Sequence, residues 1–245
     1  MKPKRVFLPI IASIICCTIH AQTSSDSLYD RVLLEWVAGM SISEQQIANH
    51  ELEELFTSEA IDEVIFKRID NLSYKDNCTV PISELRYLRI LHYNGNGQVT
   101  MGEMICNKKI SDDLLFIFKQ LYIAKYPIES IRLIDEYYAD DNLSMINNNS
   151  SSFNFRYISG TQKLSNHSLG LAVDINPLYN PYVRNRDNRL SIEPIEAEEY
   201  VDRERDFPYK IDTSDLCYKL FIQRGFEWGG DWSSVKDYQH FEKNE

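Results

Sequence analysis

The chain has 245 residues, of which 43% are hydrophobic and 26% charged, a balance that is ordinary for a globular protein with a sizeable core. Its formal net charge of −11 argues against nucleic acid or anionic lipid as a partner, because an acidic surface repels both. The length predicts either one domain of good size or one domain with an appended segment.

Residues 1–21 are predicted to be a signal peptide that is removed on export. Three cations precede an apolar run over residues 6–19, and Ala21 is a small residue suited to the cleavage site. The run is too short to remain in a bilayer as a stable anchor. We therefore expect an exported protein, periplasmic or extracellular, with no stable membrane span after signal removal. A lipoprotein anchor at Cys16 or Cys17 is the less favoured alternative, since neither follows a small residue.

Three cysteines remain after signal removal, and they would lie in an oxidising compartment. Cys78 and Cys106 flank a predicted hairpin, so a disulfide between them is one expectation. Two unpaired buried thiols are the open alternative, because free cysteine packs as a small hydrophobic residue. Cys217 lies on the apolar stripe of a predicted helix and is expected in the core.

Residues 22–84 are predicted to form a helical N-terminal extension without catalytic chemistry. Leu28, Val32 and Trp36 recur at helical spacing, and a second apolar series follows Ser58, a good helix N-cap. The catalytic domain is expected over residues 85–245.

The next elements are a hairpin and a helix. Alternating side chains over residues 85–106, interrupted by Asn-Gly-Asn-Gly at 94–97, predict two antiparallel strands. Ser111 and the two acids after it then predict the start of a helix that ends near Pro127.

The second half of the chain is less regular. Residues 131–138 predict a strand, and the polar residues 139–152 predict an ordered active-site loop. Residues 184–209 are expected to be a charged, irregular insertion on the surface. A last helix from Ser214 is expected to end at Gly225.

Residues 165–176 carry the most specific pattern in the sequence. His167 and Asp174 are seven residues apart, with Gly170 between them. The apolar alternation that runs into Asp174 predicts a turn followed by a buried strand, on which Ala172, Asp174 and Asn176 share one face. This pair predicts half of a metal site. Catalytic zinc usually takes three protein ligands, and His240 in Asp-Tyr-Gln-His-Phe-Glu is the candidate for the third.

Together the motifs Ser-x-His-x-x-Gly-x-Ala-x-Asp and Asp-x-x-His-Phe-Glu resemble peptidase family M15, the zinc D-alanyl-D-alanine carboxypeptidases and L-alanyl-D-glutamate endopeptidases. The resemblance runs from about residue 85 to the end and includes Trp-Gly-Gly-Asp-Trp at 228–232. It implies one zinc ion held by His167, Asp174 and His240. The expected fold is α+β: an antiparallel sheet with flanking helices and a central zinc cleft, preceded by the helical extension.

The resemblance also implies two catalytic side chains. Asp237 matches the family's general base, and the alternative is a solvated charge beside Lys236. Arg156 matches the arginine that supports the substrate carbonyl as negative charge develops, and the alternative is a structural ion pair.

Four further residues are expected around the site. Ser165 and Asn176 are expected to support the ligands, and Trp232 and Tyr238 to wall the cleft, although aromatic residues near a terminal strand are more often core. The resemblance implies a secreted zinc metallopeptidase whose partners are peptidoglycan stem peptides, cut at bonds that involve D-amino acids. Which bond is cut, and the oligomeric state, stay open. The alternative is an inactive zinc-containing module that binds peptides or cell wall.

Overall fold

A computed structural model of the chain describes residues 36–48, 50–158, 161–186 and 189–244. Val37–Glu245 form one compact unit. The predicted signal peptide at residues 1–21, and the predicted helical turns around Leu28 and Val32, lie outside the described residues. Within the described residues, no helix combines the length and the apolar character needed to cross a membrane.

Short helices and strands alternate along this unit. The α-helices among the described residues are α1 (Glu44–Ile47), α2 (Glu63–Ile69), α3 (Ser111–Ile123), α4 (Asp141–Ile146) and α5 (Leu216–Gln223). The strands are β1 (Thr57–Ala60), β2 (Leu85–Tyr93), β3 (Val99–Asn107), β4 (Ser130–Ile131), β5 (Asn149–Ser150), β6 (Ala172–Asp174), β7 (Tyr182–Arg186), β8 (Arg189–Glu193), β9 (Glu227–Trp228), β10 (Lys236–Asp237) and β11 (His240–Glu242). Short 3-10 helices lie at Leu52–Leu55, Ile82–Glu84, Ile134–Tyr137, Asn166–Leu169, Ile195–Tyr200 and Gly229–Asp231. This mixture of helices and mainly antiparallel strands confirms the α+β class.

The hairpin predicted for residues 85–106 is confirmed, because β2 and β3 pair antiparallel along their whole length. In the turn, Asn94 Oδ1 accepts hydrogen bonds from the backbone N–H groups of Asn96 and Gln98, both at 3.0 Å. Gly97 takes the left-handed φ of +71° that favours glycine. Helix α3 packs against β2 with a buried apolar stripe, as its spacing predicts.

The prediction of a helical extension over residues 22–84 is wrong in one part. Thr57–Ala60 form β1, which adds a third strand to the hairpin sheet by antiparallel pairing with β2. Helix α2 begins after Asp62, whose Oδ1 accepts a hydrogen bond from the Ile65 N–H at 2.8 Å, and not after Ser58. Residues 57–60 form backbone hydrogen bonds with the edge of β2. This tertiary contact outweighs the helical spacing of the neighbouring apolar residues, because tertiary context commonly overrides intrinsic secondary-structure propensity.

Residues 61–84 also contribute to the same core as the hairpin. Ile69 and Val80 pack in one buried cluster with Leu85 and other apolar side chains. Arg68 Nη1 donates a hydrogen bond to the buried Glu103 of β3 at 2.8 Å. This segment is therefore a layer of the compact unit and not a separate appendage.

The predicted disulfide between Cys78 and Cys106 is wrong, since both thiols are free. Cys106 lies in β3 and is fully buried among apolar residues, while Cys78 Sγ lies 3.9 Å from the Val80 carbonyl oxygen. The alternative of unpaired thiols that pack as small hydrophobic groups is the one observed. Cys217 is buried in α5, as expected.

The strand predicted for residues 131–138 is much shorter than expected. Only Ser130–Ile131 form a strand, which pairs in parallel with β5, and a 3-10 helix follows at Ile134–Tyr137. The expected loop at 139–152 contains helix α4, because Asp140 Oδ1 accepts a hydrogen bond from the Leu143 N–H at 2.8 Å and caps the first turn.

The expectation of an irregular insertion at 184–209 is wrong for its first part. β7 and β8 form an antiparallel hairpin, and β10 pairs with the other edge of β7 to give a three-stranded sheet in the order β10-β7-β8. The rest is held by Arg203, whose guanidinium donates to the carbonyl oxygens of Tyr179 and Ile211 at 2.9 and 2.8 Å.

The last sheet has the order β6-β11-β9 and carries the predicted metal ligands. Helix α5 packs behind it, with the Phe221 and Phe241 rings stacked at 4.2 Å between centroids. The helix is capped by Asp215 and not by Ser214, and it ends at Gln223, two residues before the predicted stop at Gly225, which has a φ of +80°. This packing fixes the position of β11 beneath the cleft.

Candidate metal centre and active site

A tight turn fixes the first predicted ligand, His167. Ser165 caps the 3-10 helix Asn166–Leu169 by accepting a hydrogen bond from the His167 N–H at 3.3 Å. Gly170 ends the turn with a φ of +67°, and a Cβ there would lie 2.6 Å from the Asn107 backbone nitrogen. His167 Nδ1–H donates to the Ser152 carbonyl oxygen at 2.7 Å, which leaves Nε2 facing the cleft with a free lone pair.

Strand pairing then brings the other two predicted ligands to the same point. Asp174 on β6 lies directly opposite His240 on β11. His240 Nδ1 lies 3.0 Å from Asp174 Oδ1, and His167 Nε2 lies 3.2 Å from both Asp174 Oδ2 and His240 Nδ1. Both imidazoles are buried. The structure therefore brings together all three side chains that the motifs single out.

The donor set and its spacing fit zinc. All the ligand atoms lie within 4.8 Å of one another. Zinc bonds of about 2.0–2.2 Å in a tetrahedral arrangement place neighbouring ligand atoms roughly 3.4 Å apart, close to the spacing here. Two imidazole nitrogens and one carboxylate oxygen are typical ligands of a catalytic zinc ion with an open fourth position.

The three groups are also electrostatically matched. Burial opposes ionisation of Asp174, but the two histidines outweigh it and hold the pKa of this carboxyl group well below its usual range. Burial alone would lower the pKa of His240, yet the neighbouring carboxylates of Asp174 and Glu242 raise it to about 10. The cluster therefore attracts positive charge at its centre, which a divalent cation would satisfy.

Asp237 is partly buried at the edge of the same cleft, and its Oδ1 atom is fully buried. It lies on β10, where Asp237 pairs with Tyr182 of β7, and its Oδ1 has no hydrogen-bond partner among the described residues. Burial, reinforced by the charge of Asp174, raises the pKa of Asp237 to about 7 against the lowering effect of the two histidines. A carboxyl group with a pKa near neutrality is suited to both accept and return a proton.

Arg156 also lines the cleft, and a residue that the sequence did not reveal holds it. The Arg156 guanidinium forms an ion pair with Asp141, the first residue of α4. Asp141 Oδ1 in turn accepts a hydrogen bond from Asn154 Nδ2 at 3.0 Å. Acids at a helix start could have suggested α4, but nothing local indicated that Asp141 faces Arg156.

These groups surround one cavity of about 600 Å³. Its lining includes the three candidate ligands together with Asp237, Arg156 and Asp141. The sheet β10-β7-β8 forms one wall, to which β7 contributes Tyr182 and Arg184, and β8 contributes Ser191 and Glu193. The cavity is large enough to accept part of a peptide.

Of the four other predicted residues, two line the cavity and two do not. Ser165 and Trp232 line the cavity, and the Trp232 ring centroid lies 5.3 Å from that of His240. Asn176 is buried away from the cavity lining, and its side chain instead holds the backbone of Pro127 and Glu129 through hydrogen bonds of 3.1 and 3.0 Å.

Tyr238 also lies outside that lining. Its ring packs under Arg203, at 4.3 Å from the guanidinium carbon to the ring centroid. It is a packing residue, in line with the more common behaviour of aromatic residues near a terminal strand.

Comparison with known proteins agrees with this site. Residues 159–243 match the model of a family described as D-alanyl-D-alanine carboxypeptidase, Peptidase_M15_4. The matched segment contains His167, Asp174, Asp237 and His240, whereas Arg156 lies just before it. The chain matches no curated protein and no solved structure.

Two buried histidines and a partly buried aspartate, next to a carboxyl group with one fully buried oxygen, form an arrangement typical of hydrolytic metalloenzymes. The matched segment is roughly a third of the chain, and its similarity to peptidase family M15 confirms the resemblance drawn from the two motifs.

Proposed function

We propose that the protein is a zinc-dependent peptidase that hydrolyses peptidoglycan stem peptides at bonds involving D-amino acids. The convergence of His167 Nε2, Asp174 and His240 Nδ1 beside Asp237 carries this proposal. The match of residues 159–243 to a peptidase family supports it. With the predicted signal peptide, we infer that the enzyme acts in the periplasm or outside the cell, where its substrate is found.

When bound, zinc would polarise the scissile carbonyl group and lower the pKa of the attacking water. Asp237 would accept a proton from that water and return it to the leaving amine. The burial of its Oδ1 suits this role, because a carboxyl oxygen without a hydrogen-bond partner holds a proton more readily than a solvated one.

Arg156 would stabilise the negative charge that develops on the carbonyl oxygen, since a guanidinium keeps its positive charge throughout the reaction. Asp141 would hold the guanidinium in place through the ion pair. Trp232, which lies against His240, would exclude water from one side of the reacting bond.

The wall beside Asp237 favours removal of a C-terminal residue over cleavage within the stem. Asp237 protonates the leaving amine, so the departing residue would lie against its neighbouring strand β7. Arg184 follows Tyr182 by two positions on β7, and both side chains line the cavity. A guanidinium there would bind the terminal carboxylate of the departing residue.

An inactive zinc module that binds peptides is the competing function. Burying a carboxyl group without a partner costs free energy, and a binding module would gain nothing from it. The buried Asp237 Oδ1 therefore favours catalysis.

The test is digestion of purified muropeptides by the zinc-loaded protein, with products weighed by mass spectrometry. We expect loss of a single D-alanine from the C-terminus. Cleavage between L-alanine and D-glutamate would support the peptidase and contradict the carboxypeptidase assignment. Zinc uptake with no cleavage of any muropeptide would contradict the enzymatic function and favour the binding module.

A further inference from the structure

Glu242 contacts the second histidine of the candidate metal cluster and lines the same cavity. Its Oε2 lies 3.0 Å from His240 Nε2, the ring nitrogen that faces away from Asp174. The same oxygen accepts a hydrogen bond from Asn166 Nδ2 at 2.6 Å. The Glu242 side chain is only 16% exposed, so solvent screens these contacts weakly.

The chemistry of the two partners fixes the position of a proton. An ionised carboxylate can only accept hydrogen bonds, so the shared proton belongs to His240 Nε2. In the neutral imidazole the other nitrogen, Nδ1, then carries the lone pair. Nδ1 is the atom that lies 3.0 Å from Asp174 Oδ1 and 3.2 Å from His167 Nε2.

Asn166 extends this contact to the other histidine. It precedes His167 in the turn that carries the first ligand, and its backbone carbonyl accepts a hydrogen bond from the Leu171 N–H at 3.0 Å. The Asn166–Glu242 hydrogen bond therefore joins the turn that carries His167 to the strand that carries His240.

We propose that Glu242 is a positioning residue for the metal centre, which orients the His240 ring, keeps its proton on Nε2 and joins the two histidine-bearing segments through Asn166. The inference rests on the metal site of the proposed function but not on catalysis. Carboxylates that accept the distal N–H of a ligating histidine typically raise metal affinity by 10- to 100-fold.

The experiment measures zinc affinity by chelator competition for the wild type, Glu242→Ala and Glu242→Gln. Alanine removes the acceptor, so we expect zinc affinity to fall by about 10- to 100-fold. Glutamine keeps a neutral acceptor for His240 Nε2–H, so we expect a smaller loss. With cobalt in place of zinc, the visible spectrum should change in the alanine variant and stay near wild type in the glutamine variant.

Glu227→Ala is the matched control. Glu227 lies directly opposite Glu242 on the neighbouring strand β9, is exposed, and accepts a hydrogen bond from Asn244 at 3.0 Å instead of contacting a histidine. It should bind zinc as the wild type does. Unchanged zinc affinity in Glu242→Ala, or an equal loss in Glu227→Ala, would overturn the proposal.

Melting temperatures of the metal-free variants separate positioning from a purely structural role. A structural role predicts that Glu242→Gln and Glu242→Ala lose stability without a selective change in the cobalt spectrum, which would also overturn the proposal. If the wild type binds zinc but cleaves no peptide, the proposed function fails while the affinity comparison still decides the role of Glu242. If the wild type binds no zinc, both fail.

Discussion

Asp174 and His240 are 66 residues apart in the chain but occupy directly opposed positions on β6 and β11, with 3.0 Å between Asp174 Oδ1 and His240 Nδ1. Directly opposed side chains on antiparallel strands point to the same face. Two of the three candidate ligands are therefore positioned by the register of one strand pair, and the third by the turn that precedes β6.

The first prediction concerns metal content. The purified mature protein should bind about one equivalent of zinc, and His167→Ala should lose it, because two ligands hold zinc much more weakly than three. His50→Ala is the control, since His50 lies outside the cavity lining and should leave metal content unchanged. Full zinc occupancy in His167→Ala, measured by elemental analysis, would contradict the assignment of His167 as a ligand.

The second prediction separates chemistry from metal binding at Asp237. Asp237→Asn should keep zinc and lower the rate of muropeptide hydrolysis by roughly two to four orders of magnitude, the usual effect of removing a positioned base. A variant with near-wild-type turnover would refute the base assignment. If Asp237→Asn lost zinc and also melted at a lower temperature, Asp237 would be a structural residue instead.

The third prediction tests the carboxylate site at Arg184. Arg184→Ala should raise KM for a peptide with a free C-terminal D-alanine by about 10- to 100-fold, as expected when a charge-assisted hydrogen bond is lost. The same peptide with an amidated C-terminus should be a poor substrate for both proteins. Arg189→Ala, exposed in the same hairpin and outside the cavity lining, is the control. Equal KM values in wild type and Arg184→Ala would dismiss this role.

The fourth prediction concerns the packing beneath β11. Phe241 is fully buried and stacks on Phe221 at 4.2 Å, so Phe241→Ala should destabilise the protein by about 3–5 kcal/mol. Because His240 precedes it on the same strand, zinc affinity should fall as well. Ile222→Ala on the exposed side of α5 is the control and should cost far less in urea unfolding. Destabilisation with unchanged zinc affinity would show that the strand pair does not limit metal binding.

The fifth prediction concerns acid sensitivity and rests on His92 of β2. Burial lowers the pKa of His92 to about 4, although its Nδ1–H donates to the Ile128 carbonyl oxygen at 2.8 Å, and its Nε2 has no hydrogen-bond partner among the described residues. Above the ordinary pKa of about 6.5 the ring is neutral in both folded and unfolded chains, so the protein keeps its full stability.

As pH falls below about 6.5, His92 becomes protonated in the unfolded chain but stays neutral in the folded chain. The free energy of unfolding therefore decreases until about pH 4, where the folded chain is protonated as well. The loss should be on the order of 3 kcal/mol, measured as the free energy of unfolding at several pH values. His92→Gln should show a shallower dependence over this range, and His50→Gln should retain the wild-type slope. The same slope in His92→Gln would contradict the assignment.

The parts of the fold that follow from local patterns were predictable. Asn94–Gly97 indicated the turn of the hairpin, and helix α3 follows the apolar stripe after Ser111. His167 and Asp174 are close in sequence, so spacing and Gly170 sufficed to predict that they meet. His240 needed the resemblance to a known family, because nothing local says which strand will pair with β6.

The parts that depend on distant pairing were missed or mistaken. β1 was expected to be helical because its neighbours have helical spacing, yet the free edge of β2 decides its structure. The wall formed by β7 depends on pairing with β10, more than 50 residues later. The ion pair between Arg156 and Asp141 likewise joins two segments whose approach no local pattern reveals.

The close approach of Gly229 to Asp237 has a consequence for where protons can travel. A Cβ at Gly229 would lie 2.6 Å from the Asp237 carbonyl oxygen and 2.8 Å from its Cβ, so the glycine backbone packs directly against this residue. No side chain fits between the two. The Gly229 backbone therefore covers one side of Asp237, and the carboxyl group lines the cleft, where a bound peptide would cover it. A proton that Asp237 takes from the attacking water would then stay within the enzyme–peptide complex until it is transferred to the leaving amine.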